Sequence, residues 1–314
     1  MPFKELKVFA KIAVNEQKIL SSQKNENVKL NSLVAELIRN THSIEKGLSI
    51  NNPRLGFGHK KQKEMLDAIE VLYKKQGTYK EACKMALGAL QEYLKYHKDK
   101  GYTDDFCIEL ERFLKDYPED GSIKNGGTIE INKEQLQFDT TQIEHFFKTR
   151  HSIRDFDSRP VDNDVLARAL SLAQTAPSAC NRQGVRAYVL SPERSKKLSE
   201  QLAGIGGFAD SVSRFILVTG KTSAYRIDEI NQYIVSASIY AAYLSLTLHL
   251  YGLGACIVQR PVIWSKEWEK IRKWALIEED EQMICLLAVG DLKEQFVAPM
   301  SHRISSQEII KFID

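Results

Sequence analysis

Between Ile230 and Gln259 the chain carries no Asp, Glu, Lys or Arg. So long a charge-free stretch belongs either in a bilayer or in a protein interior. Gly252 and Gly254 divide it, and Ser, Thr, Tyr and His249 are spread along it, which fits a buried helix followed by a buried strand better than a membrane span. In a helix over Tyr225 to Tyr251, the residues Ile230, Ile234, Ala237, Ala241, Leu244, Leu248 and Tyr251 recur alternately four and three apart. That spacing makes a seam for another helix. Ile239, Tyr243, Leu246 and Leu250 form a second apolar face, and a helix apolar on two faces is expected at the core of a dimer. The central helix of a monomer is the other reading.

A chain of 314 residues exceeds the usual single domain. The net charge of +3, against 44 basic and 41 acidic residues, argues against a polyanion-binding surface, so no nucleic-acid partner is expected. The His59-Lys60-Lys61-Gln62-Lys63 cluster reads as a solvated helix face. Five cysteines, odd in number and without a Cys-x-x-Cys pair, favour reduced thiols in a cytoplasmic protein over a disulfide framework or a zinc site. Met1 to Leu20 is charged throughout and lacks the apolar run of a signal peptide.

Helical periodicity dominates up to about Asp139, with Leu6, Phe9 and Ala13 on one face and Leu30, Leu33, Val34, Leu37 and Ile38 on the next. Further helices are expected over 60–75, 79–98 and 103–115, with Gly77 and Gly101 as stops. Between the second and third helices lies His42-Ser43-Ile44-Glu45-Lys46-Gly47-Leu48, followed by a structured loop from Asn51 to Gly58. His42, Glu45 and Lys46 are expected to share a helix face. From Asp116 to Gly127 the composition turns to Pro, Gly, Asn and Ser, the chemistry of a linker. Two domains follow, a small all-α domain with its linker over 1–127 and a second domain over 128–314.

The second domain alternates helix and strand signals. Asp162 caps a helix to Thr175; 185–190, 215–219, 255–258 and 283–289 read as strands; 192–202 and 265–275 read as helices. The class is α+β, a mixed sheet flanked by helices.

Just before these elements stands Thr149-Arg150-His151-Ser152-Ile153-Arg154-Asp155-Phe156. In an extended segment Arg150, Ser152 and Arg154 project from one side, two planar guanidiniums and a hydroxyl, which suits a phosphate or a delocalised oxyanion. A solvated surface turn fits the same spacing. No Gly-x-Gly-x-x-Gly, Walker loop or His-Glu-x-x-His motif is present, so any phosphate has to be held by side chains.

The Arg-x-Ser-x-Arg-x-Phe comb, the Pro177-Ser178-Ala179-Cys180-Asn181 stretch and a single late arginine, Arg303, follow in an order that resembles the nitroreductase family of FMN-dependent oxidoreductases. The resemblance covers about Thr141 to Asp314. It implies a nitroreductase-like sheet sandwiched by helices in an intertwined homodimer, with FMN at the subunit interface. By carry-over, Arg150 and Arg303 grip the FMN phosphate, Ser152 helps along the phosphoribityl chain, and Arg154 lies at the N1–O2 edge as the catalytic cation. His151 falls within the cofactor-binding motif, its side chain expected to point the other way in a structural role. Pro177, Ser178 and Asn181 approach the flavin bound mainly by the other subunit, and Ile257, Val258 and Gln259 line its N5 side. The chemistry implied is ping-pong transfer of electrons from NAD(P)H to a small acceptor, with no metal and no membrane. A flavin-binding or dimeric interaction module with a decayed redox site, or another flavin reaction such as dehalogenation or flavin cleavage, stays open beside it.

Overall fold

The computed structural model describes residues 25–117, 125–200, 202, 205–258 and 266–313, with individual residues between 6 and 17. The apolar period of the first third folds into α1 (Glu26–Leu48), α2 (His59–Leu72), α3 (Thr78–Asp99) and α4 (Asp105–Lys115). Asn25 and Asp104 cap α1 and α4 by accepting from the Asn27 and Cys107 N–H groups. Leu37, Ile44, Met65, Ile69, Leu72, Leu90, Tyr93 and Leu110 form the buried centre. The His42–Leu48 segment is not an inter-helix connection: buried Thr41 and Ile44 continue the period of Val34, Leu37 and Ile38, so α1 runs through to Leu48. His42 Nδ1 lies 3.3 Å from Glu45 Oε2 on that helix. The following loop is tied down through buried His97, whose Nε2 accepts from the Gly56 N–H at 3.0 Å while Nδ1 donates to Tyr93 O at 2.8 Å. The Phe57 ring packs edge-on against Tyr93 at 5.1 Å.

After the linker, the Gly127 and Thr128 N–H groups donate to Glu45 and Glu92 on α1 and α3. A stretch of coil with a 3-10 turn at Lys133–Leu136 leads to α5 (Thr140–Thr149), α6 (Asn163–Ala173), β1 (Val185–Val189), α7 (Pro192–Ser199) and β2 (Arg214–Lys221). Then come α8 (Gln232–Leu250), β3 (Leu253–Val258), α9 (Lys266–Trp274) and β4 (Glu281–Asp291). The strand order is β1-β2-β4-β3. Side-chain alternation builds the layers. Phe215, Leu217, Leu286 and Ala288 face one core, with Leu198 of α7 and Ile271 of α9. Ile216, Val218, Cys285, Leu287 and Val289 face the other, with Leu166 and Ala169 of α6. The class is α+β, but the mixed sheet expected is antiparallel in every pairing among the described strands. Strands consecutive in sequence, β1 with β2 and β3 with β4, are neighbours here and run in opposite directions.

On α8 the residues expected to form a seam for a partner helix are taken up within the chain. Ala237, Ala241, Leu244 and Leu248 are buried within the chain, against the sheet and α6. The other face is open, with Val235 51%, Tyr243 37% and Leu250 55% exposed. The small alanines let α8 lie close on its own sheet, so the seam is intrachain and the free stripe is the face through Tyr243 and Leu250. By length and composition α8 could also cross a membrane; one side of it is the cover of the sheet.

The two parts of the chain also share a small core, in which Ala35 of α1 meets Ala224, Tyr225 and Tyr233. Asn31 Nδ2 donates to Asp280 Oδ2 at 3.2 Å beside it.

The comb is placed by Ile153 and Phe156, both buried in the first core. A Cβ on Gly290 would lie 2.5 Å from both Cβ and Cγ of Phe156, and one on Gly254 would lie 3.1 Å from the same ring. Glycine at these two places lets the segment lie flat on the ends of β3 and β4. We expect Gly290→Ala to cost about 1–3 kcal/mol by overpacking. Gly206→Ala, where nothing lies within 4 Å, should stay within about 0.5 kcal/mol. Urea midpoints of the two variants check this, and equal midpoints would contradict it.

Candidate functional site

After α5 ends at Thr149 the backbone turns extended at Arg150, with φ −72° and ψ 113°. Two hydrogen bonds then hang the segment on the sheet, Ile153 N–H to Ala255 O at 3.0 Å and Asp157 N–H to Asp291 O at 2.9 Å. Lys293 pairs with Asp155 at 2.6 Å, and Arg159 with Asp157 and Asp291 at 3.1 and 3.2 Å. These pairs occupy the acidic groups around the segment.

Arg150 and Ser152 line a cavity of about 70 Å³ together with His151, Ser245, His249, Ala255, Ile257, Leu292 and Phe296. His151 borders the same cavity, as do all five consecutive residues from Thr149 to Ile153, although the Ile153 side chain is buried in the core behind it. Arg150 is half-buried, and its guanidinium makes no hydrogen bond or ion pair to any described residue. Arg154 lies outside the cavity wall, exposed, its Nη1 donating to Ser152 O at a long 3.4 Å. Behind the comb the Cys256 thiol is pushed up by burial, while Arg154, Ser152 and Arg150 pull the other way.

β3 sends alternate residues to opposite sides. Ile257 reaches the cavity, whereas Val258 turns with Cys256 into the core. Gln259 lies outside the described residues. His249, at the end of α8, had no spacing or motif to single it out. Its Nε2 lies 3.0 Å from Thr149 Oγ1 and its ring 5.1 Å from Phe146. Burial first, then the charges of Arg150 and His151, hold it below the usual imidazole range against a hydrogen bond to the Phe146 backbone. The fixed cation in the cavity is thus Arg150.

Pro177 and Ser178 line a different cavity of about 340 Å³, with Gln183, Arg186, Ser236 and Tyr240; it shares no lining residue with the first. Asn181 sits in the turn beside it at φ 54°, and Ser178 Oγ accepts from the Gln183 N–H at 2.9 Å. Arg303 is exposed on the C-terminal segment, donating to Ser301 O, and lines neither cavity. One chain therefore gathers Arg150, His151, Ser152 and Ile257, but does not bring Arg303, Pro177, Ser178 or Asn181 to them.

The turn carrying Ser178 is braced by an ion pair between a buried arginine and a half-buried glutamate. Arg182 is 4% exposed; its Nη1 and Nη2 donate to Glu229 at 2.7 and 2.5 Å, its Nε donates to Ala179 O at 3.0 Å, and its guanidinium lies 4.5 Å over the Tyr225 ring.

Residues 147–218 match the model of the Nitroreductase family. The chain resembles that family over the comb, α6, the Ser178 turn, β1 and the first part of β2. A nitroreductase family protein from Streptococcus pneumoniae TIGR4 is 20% identical, over 55% of this chain and 100% of its own, with a TM-score of 0.46. A nitroreductase-like protein from Streptococcus mutans is 20% identical, over 56% and 100%, with a TM-score of 0.48. An FMN-dependent nitroreductase from Clostridium difficile R20291 is 24% identical, over 54% and 98%, with a TM-score of 0.45. No curated protein matches the chain.

The Arg182 hydrogen bonds come first in lowering the Glu229 carboxyl, to about 2. Its folded pKa lies below the unfolded one, so the stabilisation is complete above the unfolded carboxylate value and is lost as pH falls toward 2. We expect Glu229→Gln to lose about 1–3 kcal/mol at pH 7, with the gap from the parent narrowing between about pH 4.5 and pH 2. Urea unfolding across that range tests it; a gap constant with pH would refute the assignment.

Proposed function

We propose that the second domain is an FMN-dependent oxidoreductase of nitroreductase type, passing electrons from NAD(P)H to a small acceptor by a ping-pong cycle. The observation that carries this reading is Arg150, a half-buried guanidinium with no partner among the described residues, facing a cavity beside Ser152. A cation so placed is made for an anion that comes from outside the chain. Ile257 and Phe296 add an apolar wall to the same cavity, so the residues fit the phosphate end and one flank of a flavin. Ligand sites usually measure about 300–1,000 Å³; the roughly 70 Å³ here is part of a site. A second copy of the chain supplies the remainder in this reading. The open stripe on α8 and the exposed Val297, Met300, Phe312 and Ile313 of the C-terminal segment are the surfaces it covers. The same pairing brings Pro177, Ser178 and Asn181 of one copy to the comb of the other, and Arg303 to a phosphate. Five free cysteines suit a cytoplasmic protein.

FMN, when bound, supplies hydride acceptance from a reduced nicotinamide and electron delivery to the acceptor. Arg150 and Ser152 hold the phosphate end, whose charge is the same before and after reduction. His249 positions the Thr149 hydroxyl next to Arg150. Arg154 is tied by a single long hydrogen bond; it is free to meet the negative charge that reduction places at the N1–O2 edge.

Two expectations follow from these roles. Arg150→Ala should weaken FMN binding roughly ten- to a hundredfold and leave the midpoint potential in place. Arg154→Ala should retain oxidised FMN better, lower the potential and slow reduction by nicotinamide. FMN titration with potentiometry separates them, and a shift in potential from Arg150→Ala alone would reverse the roles. A yellow protein that neither nicotinamide bleaches would indicate the interaction module.

On the open stripe, Tyr243→Glu should yield monomers that have lost FMN, measured by sedimentation and flavin absorbance. A monomer with full flavin occupancy would overturn the shared site.

A further inference from the structure

A third cavity, of about 340 Å³, lies between the two domains; it shares Gln183, Gly184 and Arg186 with the cavity of Ser178, and the flavin reading gives none of these three a role. One wall comes from α1 and α3 and is mainly apolar, through Val34, Ile38, Tyr79 and Met85, with Asn31, Thr78 and Glu81 also on it. The facing wall carries three cations, Arg182, Arg186 and Lys221. Two of them are spoken for. Arg182 is paired with Glu229, and Lys221, its side chain 8% exposed, donates to Glu278 at 2.8 Å. Arg186 is half-buried on β1 at the edge of the sheet, and its one hydrogen bond runs from Nη1 to the Val185 carbonyl at 3.4 Å. The remaining carboxylate on the lining is Glu81, exposed at the rim and 3.5 Å from Lys84. The charge of Arg186 also acts on Glu278, but its guanidinium donates to no carboxylate among the described residues; the cavity thus offers a guanidinium open to a further anion opposite an aromatic and aliphatic wall, within the volume range of small-molecule sites, about 300–1,000 Å³.

We propose that this interdomain cavity binds a small organic carboxylate with a flat apolar body, the carboxylate on Arg186 and the body against Tyr79 and Ile38. The carboxylate is specified by Arg186, whose planar fork can give two parallel N–H donors to two oxygens. The apolar body is specified by Val34, Ile38, Tyr79 and Met85 of the opposite wall, whose one carboxylate, Glu81, is at the exposed rim beside Lys84. The site is built half by each domain, so a ligand there also binds the N-terminal helices to the sheet. The proposal does not depend on the flavin.

The probes are cinnamate and cinnamamide, which have the same shape and differ in charge, titrated by ligand-observed NMR into the full-length protein. Cinnamate should bind at least tenfold tighter than the amide. Arg186→Gln should abolish that preference while leaving amide binding unchanged. Arg186→Lys, which keeps the charge without the fork, should retain part of it, and it serves if the glutamine variant does not fold. Tyr79→Ala should weaken both probes by a similar factor and keep the preference. Arg150→Ala, which acts at the comb, should change neither. Equal affinity of the two probes, no binding of either at millimolar concentration, or a preference that survives Arg186→Gln would overturn the proposal. Loss of cinnamate binding in Arg150→Ala would also overturn it, by placing the probe at the flavin site.

Discussion

The close approach of Phe156 to Gly290 determines where the arginine comb sits. Interiors are packed at crystal-like density, so a ring seated over a glycine in β4, with Ile153 seated beside it on β3, has one register available. The hydrogen bonds from Ile153 to Ala255 and from Asp157 to Asp291 follow from that seating. A slip of one residue would drive Ser152 or Arg154 toward the core, at the cost of burying an unpaired polar or charged group. Burial of two apolar side chains therefore aims the polar ones between them.

A second constraint acts on the turn between α6 and β1. Cys180, Asn181 and Gln183 all have positive φ, at 52°, 54° and 51°, a conformation that costs a residue with a Cβ of the order of 1 kcal/mol or more. The surroundings hold the turn in that shape. The Arg182 side chain donates to Ala179 O, inside the turn, and to Ala224 O and Glu229 outside it. α1 lies against the Ala179–Asn181 and Thr222–Ala224 turns. The N-terminal helices thus back the turn that carries Ser178, and they belong to the second domain's architecture as well as to their own core.

The sequence was informative wherever one local pattern had one outcome. Asp162 caps α6, Pro177 follows its end, and the strands fall where apolar runs stand between turns. It was silent where a pattern had two outcomes. Both faces of α8 satisfy a helical apolar stripe, and the choice between them was made by Ala237 and Ala241, which fit the chain's own sheet. Ile257 and Val258 are adjacent on a strand, and period two sends their side chains to opposite faces, Ile257 to the cavity and Val258 to the core. His42 to Leu48 carries both signals, Gly47 with the loop after it marking a connection and buried Thr41 and Ile44 continuing the helical period, and the buried positions prevail. Arg303 and His249 could not be placed from sequence, because no local spacing records which distant surface a single side chain meets.

The unfinished features of the chain have a common physical cause. The comb's cavity is small, the outer stripe of α8 is apolar and open, and the C-terminal segment exposes Phe312 and Ile313 at 92% each. Leaving such side chains in water forgoes about 25 cal/mol for each Å² that could be covered, and contiguous patches of this kind mark association surfaces. If one cofactor touches both copies, as the separation of Ser178 from Arg150 within a chain requires of the proposed site, flavin affinity and subunit affinity are linked. Whatever free energy the flavin gains from the second copy is returned as stability of the pair. The guanidinium of Arg150, without a partner among the described residues of its own chain, then contributes in both equilibria: it holds the phosphate, and through the phosphate it helps hold the second subunit.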